Sequence, residues 1–532
     1  MKQTVKNKGA LLRVFACVWA MLALVLTCAA PAFADGTASQ HNKDIVVSGV
    51  EGSTAATAYK VIDIKWDDSV DGGQPVDPMY TWDSNVAAWL KASDNADFKA
   101  FTDANGGVTD AYNTYMKKAE NKKAFSEALQ LAVRTGVIGG LTSTDVTVAD
   151  NASTLTFEKL PMGGYLISVV GSKMVYEPLL QNVAPEHKDG AWAFEGGSVE
   201  AKEKSSDVTF DKGIVKGDGL VNTATGSIGG TVTFRLTAGV PSYPDNAIAT
   251  QFEMQDKLSA GLTYKGNMVV KAGETVLTEG DQYTLSVAAD RDADGKQLVT
   301  ITFDYSKIKG ASKVTVDYDA TINGNAIVGK DGNPNEADLI YSNDPYNKLD
   351  HRTLHDEVTV YTFGIEVYKR DKAAQDTLLS GAVFSVKDEN GKALEFVNIG
   401  DGQYRMATDE DAADAKTAEL EVGKSGEMLG KLDIKGFDEG KYSLEEVKAP
   451  AGYMRLGKPV DVKLVALKDG VDYNGRVDGD SDAKIGYVHE DVLNGKGWNL
   501  PTTGDAGIFA LIAAGIMLVG GGIMVVRGRR AE

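Results

Sequence analysis

Cysteine and histidine are nearly missing from this chain. Among 532 residues there are two of the first and five of the second. That leaves no material for a zinc cluster, a thiol enzyme or a disulfide framework, and no metal or other cofactor is expected. Basic residues are also short: 55 Lys+Arg stand against 75 Asp+Glu, a formal net charge of −20. This balance argues against nucleic acid and anionic membrane surfaces as partners. Long apolar runs occur only at the two ends, which excludes a polytopic membrane protein. P-loop and GxSxG motifs are absent. What is present is an ordinary globular balance, 43% hydrophobic and 24% charged. The length suits three or four domains.

The two ends read as processing signals. Lys2, Lys6, Lys8 and Arg13 flank an apolar run over residues 14–26, and Ala32-Phe33-Ala34 follows as a small-x-small cleavage site. Residues 1–34 are therefore read as a secretory signal peptide. Both cysteines, Cys17 and Cys28, lie inside it. The mature chain would reach a compartment where disulfides form, yet carry no cysteine. Any covalent reinforcement must come from other chemistry. At the other end, Leu500, Pro501, Thr502, Thr503 and Gly504 precede an apolar stretch at 506–526 and a tail with Arg527, Arg529 and Arg530. The stretch is long enough for a transmembrane helix with a cytoplasmic basic tail. In this order the parts resemble the LPxTG sorting signal of Gram-positive surface proteins. The resemblance implies that a sortase cleaves between Thr503 and Gly504 and transfers the chain through the Thr503 carbonyl, the span holding the precursor only temporarily.

Between the ends the texture is mostly β. Runs such as VTFRL, QLVTITF and KVTVDYDATI alternate apolar and polar residues and are separated by Gly, Asp and Asn turns. The spacing predicts tandem immunoglobulin-like β-sandwiches, an all-β protein with domains at 35–205, 206–361 and 362–498 and the sorting signal at 499–532. The first domain differs. Residues 85–134 have helical spacing in AAWLKA and AFSEALQLAVRT, which predicts a helical insertion.

Three motifs carry a family resemblance that covers the whole chain. YSLEEVKAPAGY (442–453) has the pattern YxLxExxAPxGY, and DKLSAGLTY (256–264) and NEADLIYSNDP (335–345) resemble two further signatures. The chain resembles sortase-assembled backbone pilins built of Cna-type domains. The resemblance implies an intramolecular isopeptide bond in such domains: a buried Lys amine attacks a buried Asn carboxamide, ammonia leaves, and an Asp or Glu assists. Burial must keep the amine neutral and the acid protonated, and the reactants must be held in contact. Strand parity tests that burial. Lys212, Asp256, Asn343, Lys369, Glu446 and Asn494 each share parity with apolar neighbours on their strands. The expected sets are Lys212–Asp256–Asn343 and Lys369–Glu446–Asn494, with Asp256 and Glu446 as the assisting acids. Asn335 has the same parity as Asn343 and stands as its alternative. Lys60 in the first domain also sits among apolar residues of like parity, but no partner residues are evident for it.

The resemblance also implies a lysine that accepts the acyl group of the next subunit. VEAK (199–202) aligns with the family's VYPK and nominates Lys202, with Lys204 as alternative. Lys202 is expected on the polar face of its strand. The partners implied are pilus-specific and housekeeping sortases, other copies of the chain, peptidoglycan, ancillary pilins and host surface ligands. The function implied is the major subunit of a cell-wall-anchored fimbria that supports adhesion; the other reading is a monomeric adhesin or a minor pilin. DRDADG (290–295) begins like a calcium loop, but its twelfth position is Ile301, so a hairpin turn is expected. Asp478, Asp480 and Asp482 form a similar acidic run. His351 and His355 are expected in a turn rather than at a metal.

Overall fold

The computed structural model describes residues 41–496 except 53, 71, 72, 151, 172, 189, 196, 203, 204 and 481. The leader, the sorting pentapeptide with its apolar stretch, and Lys204 lie outside the described residues. No helix among the described residues is long and apolar enough to cross a membrane.

The first domain pairs a three-stranded sheet with a five-stranded one. The small sheet runs Ser198–Lys202, Asn42–Ser48, Thr154–Pro161. The larger is built on the long strand Thr54–Asp67 and its partner Gly163–Gly171. Between Trp82 and Ser143 the chain leaves the sheet for four helices, Ser84–Ala92, Ala96–Lys99, Asp110–Tyr115 and Ala119–Arg134. The Asp83 carboxylate caps the first by accepting from Asn85 N at 2.8 Å. Phe98, Phe101, Phe125 and Leu129 give the helices their own core, separate from that of the sandwich.

The middle domain stacks two six-stranded sheets. One runs Gly219–Val221, Phe210–Lys216, Thr231–Gly239, Lys313–Ile322, Leu262–Ala272, Thr275–Val276. The other runs Thr223–Thr225, His351–Tyr361, Asn333–Ser342, Phe252–Leu258, Gln297–Phe303, Tyr283–Val287. The alternation in the sequence is the alternation in burial: Val314, Val316, Tyr318, Ala320 and Ile322 all face inward. His351 and His355 lie on a strand, not in the expected turn, and the His355 ring meets Asp338 at 2.8 Å. DRDADG forms the turn of a hairpin, where Asp292 Oδ1 accepts from Asp294 N and Lys296 N.

A single residue, fully buried Thr362, joins the last middle-domain strand to the first strand of the third domain, Phe363–Asp371. In the third domain a six-stranded sheet faces a four-stranded one that contains Gly440–Lys448. The first and last strands, Phe363–Asp371 and Tyr487–Asn494, are neighbours and run parallel.

Candidate cross-linking sites

In the third domain, alternation turns Phe363, Ile365, Val367 and Lys369 toward the core. Lys369 is fully buried, as a fourth apolar residue would be. Its Nζ donates to Asn494 Oδ1 at 2.6 Å and to Val492 O at 2.8 Å. Asn494 Nδ2 donates to both Glu446 oxygens, at 2.8 and 3.0 Å, and to Met454 O at 3.0 Å. Lys369 Nζ and Glu446 Oε1 are 3.9 Å apart. The structure thus brings together all three residues nominated from the sequence. Burial brings the Lys369 amine down to about 8, against the pull of Glu446. An amine so held has an accessible neutral form, and the carboxamide beside it has its nitrogen in contact with a carboxylic acid.

The backbone completes this site. Leu456 N donates to Glu446 Oε2 at 2.8 Å, and Tyr453 Oη donates to Asp371 Oδ2 at 2.8 Å. The end of YSLEEVKAPAGY therefore folds over the reactants, and its tyrosine is tied down two residues beyond Lys369. The main-chain contacts from Leu456 N and Met454 O have no side-chain signature in the sequence.

In the middle domain the same inward parity holds for Phe252, Met254, Asp256 and Leu258. Lys212 and Asp256 are buried and hydrogen-bonded to each other, Nζ to Oδ2. Burial lowers the lysine pKa and raises that of the aspartic acid, so both move toward their neutral forms. The Nζ lies 5.3 Å from the Phe234 ring centre and 5.8 Å from that of Tyr318.

Asn343 is not part of this cluster. Asn335 is: it stands opposite Leu258, one inward position along from the Asp256–Ala337 pair. Its Nδ2 donates to Tyr318 Oη at 2.7 Å, and its carboxamide acts on the Asp256 carboxyl. Asn343 lies eight residues farther along, about 26 Å at strand rise. It is buried beside Asp344, whose carboxylate pairs with Arg134 of the first domain. Parity identifies a strand's inner face but not the position along it, so both asparagines satisfied the sequence criterion. The neighbour that sequence reasoning missed is Tyr318, an inward tyrosine indistinguishable in the sequence from a core residue.

Lys202 has the opposite surroundings. It ends the edge strand Ser198–Lys202, opposite Ser48, with Ala201 turned into the core and its own side chain exposed. It lines a groove of about 150 Å³ with Lys122, Lys123, Ser126, Glu177 and Leu180. Lys60 is partly exposed and pairs with Asp63 at 2.8 Å.

A domain model described as Gram-positive pilin backbone subunit 2, Cna-B-like domain, matches residues 228–345, and one described as SpaA, prealbumin-like fold domain, matches 363–476. The chain is 27% identical over 365 residues to the trypsin-resistant surface T6 protein of Streptococcus pyogenes, covering 58% of this chain and 67% of that one. It is 24% identical over 338 residues to fimbrial subunit type 1 of Actinomyces viscosus, covering 56% and 60%. The alignment thus spans less than two thirds of the Actinomyces relative. The solved T6 backbone pilin of serotype M6 S. pyogenes has the same fold, with TM-score 0.57 and 19% identity over 87% of this chain and all of that one. In its middle and third domains, therefore, the chain matches Gram-positive pilin-backbone and prealbumin-like domain models, joined in a mostly-β tandem array.

Proposed function

We propose that the chain is the major structural subunit of a covalently polymerised surface pilus. Two isopeptide bonds, Lys369–Asn494 and Lys212–Asn335, would staple the third and middle domains. Sortases would join Thr503 of one copy to Lys202 of the next and finally to peptidoglycan. The observation that carries this reading is the contrast among the lysines. Lys369 is sealed in its core against Glu446 and Asn494, and Lys212 against Asp256, on whose carboxyl Asn335 also acts, so no enzyme reaches either amine. Lys202 is exposed on an edge strand beside a groove. Joining Thr503 to Lys202 is a heterologous contact, which need not close and so propagates as a fibre. The names of the relatives, a trypsin-resistant surface protein and a fimbrial subunit, fit a stapled fibre on the cell surface.

In each staple the neutral amine attacks the carboxamide carbon, an amide bond forms, and the former Nδ2 leaves as ammonia. The test is a blot of cell-wall extract from cells carrying wild type or Lys202→Ala. The wild type should give a ladder that survives boiling in detergent, with peptide mapping joining Thr503 to the Lys202 side chain. The variant should give a single folded band. A single band from the wild type would favour the monomeric adhesin. A branch at Lys204 would move the acceptor by two residues.

A further inference from the structure

We propose that Tyr318 is a catalytic residue of the middle-domain bond, passing a proton from Asp256 to the leaving nitrogen of Asn335. The inference rests on the cross-link reading above. In the third domain the acid touches the leaving nitrogen itself, since Asn494 Nδ2 is 2.8 and 3.0 Å from the Glu446 oxygens. The middle-domain acid is one methylene shorter, and there the partner of the leaving nitrogen is a phenol: Asn335 Nδ2 to Tyr318 Oη, 2.7 Å. Tyr318 reaches it from the opposite sheet, the sheet that also carries Lys212.

A hydroxyl that accepts one hydrogen bond still has its own hydrogen to place. Tyr318 is fully buried and lies against Asp256, whose Oδ1 is buried without a hydrogen-bond partner. Asp256 Oδ2 already holds the Lys212 amine. The acid is therefore set to work at both oxygens. Starting from neutral Lys212 and protonated Asp256, Nζ bonds to Cγ of Asn335 and yields a proton to Oδ2. Tyr318 gives its hydroxyl proton to Nδ2 as the C–N bond breaks, and takes one back from Oδ1. An amide and ammonia result, and Asp256 and Tyr318 end as they began, a neutral acid and a neutral phenol. Burial holds the phenol pKa well above its ordinary value, so the transfer passes through Tyr318 without a free phenolate.

The experiment follows the intact mass of the full-length chain at intervals after cell-free synthesis, with peptide mapping of each bond. The wild type should lose two ammonia molecules. Tyr318→Phe should lose the third-domain ammonia at the normal rate and the middle-domain one roughly a hundredfold more slowly. Adding Asp256→Glu to Tyr318→Phe should restore the second loss, because the longer acid then meets the nitrogen directly, as Glu446 does. Loss of both ammonias at the wild-type rate by Tyr318→Phe would overturn the relay. So would a slow variant that Asp256→Glu fails to rescue, which would make Tyr318 a packing residue. If Tyr318→Phe does not fold, fluorotyrosine at 318 keeps the shape and alters only the acidity of the hydroxyl. A changed middle-domain rate then supports the relay, and an unchanged one overturns it. A wild type that never loses the middle-domain ammonia would remove the underlying bond, a result separable from every outcome in the variants.

Discussion

The middle and third domains bring the same three kinds of group together by different routes. In the third, amine and carboxamide come from neighbouring parallel strands of one sheet, Lys369 opposite Val492 and Asp371 opposite Asn494, and the acid comes from the facing sheet. In the middle domain the lysine is on one sheet, and the acid and asparagine are on adjacent strands of the other. No particular strand pairing is required, then. What both share is inward parity at positions where a core residue would sit, which desolvates the amine and excludes water. They differ in reach: a glutamate meets its amide directly, whereas the shorter aspartate has a phenol beside it. They differ also in what they would tie down. The third-domain bond would join the first and last strands, whereas the middle-domain bond would leave residues 336–361 beyond its anchor.

The largest effects should come from removing each set in turn. Glu446→Ala should abolish the third-domain bond and leave the middle one, so the intact mass falls by one ammonia rather than two. Asn335→Ala should do the reverse. The two proposed staples would close loops of similar size, about 125 residues for Lys369–Asn494. In the chain-entropy picture each contributes about 5 kcal/mol by restricting the unfolded state. Each variant should therefore unfold at lower temperature and yield to protease in the domain that lost its bond. Equal mass loss in Asn335→Ala and wild type would return the middle-domain bond to another asparagine.

Much of this was legible beforehand, and the reason is specific. Alternation in FGIEVYKRD or FEMQDKL assigns each residue a face, so a lysine or aspartate in the core is visible without a structure. The helical insertion was equally plain, because Val86 and Leu90 on one helix and Phe125 and Leu129 on another are each spaced by four, an apolar stripe on each. What the pattern lacks is distance along the strand. Asn335 and Asn343 are equivalent by parity, and only the register opposite Leu258 and Ala337 separates them. Main-chain partners such as Met454 O and Leu456 N are equally silent, since any residue supplies them.

The next effect concerns rate. Before its bond forms, Lys369 faces Asn494, the Val492 carbonyl and Glu446, and burial has brought its pKa down to about 8. Only the neutral amine attacks. As pH falls from 8 to 6 the neutral fraction drops from about one half to about one hundredth, so third-domain ammonia loss should slow roughly fiftyfold. Newly folded full-length chain held at pH 6 and pH 9, with mass followed over time, measures this. A flat profile would mean that proton transfer is not controlled by Lys369. Under force the domains should also part company. The third should not lengthen, whereas residues 336–361 could release at most about 90 Å from the middle domain.

The smallest effect is predicted for Asn343→Ala, and it discriminates most finely between the two asparagines. Asn343 is buried, yet it follows the strand Asn333–Ser342 at the end facing the first domain. There Asp344 pairs with Arg134, Asn246 Nδ2 donates to Glu127 O at 2.8 Å, and Tyr341 Oη donates to Lys173 O at 2.8 Å. Asn343 thus sits in the seam between the domains, far from the Lys212 amine. Its loss should cost only about 1–3 kcal/mol, the value of a buried polar group and its contacts. The two ammonia losses and the resistance of the middle domain to protease should remain. The change should be confined to faster amide hydrogen exchange where the helix Ala119–Arg134 meets the 343–347 loop. Loss of the middle-domain bond in this variant would reverse the assignment, because a side chain about 26 Å along the strand from Asn335 cannot contact the Lys212 amine in this fold.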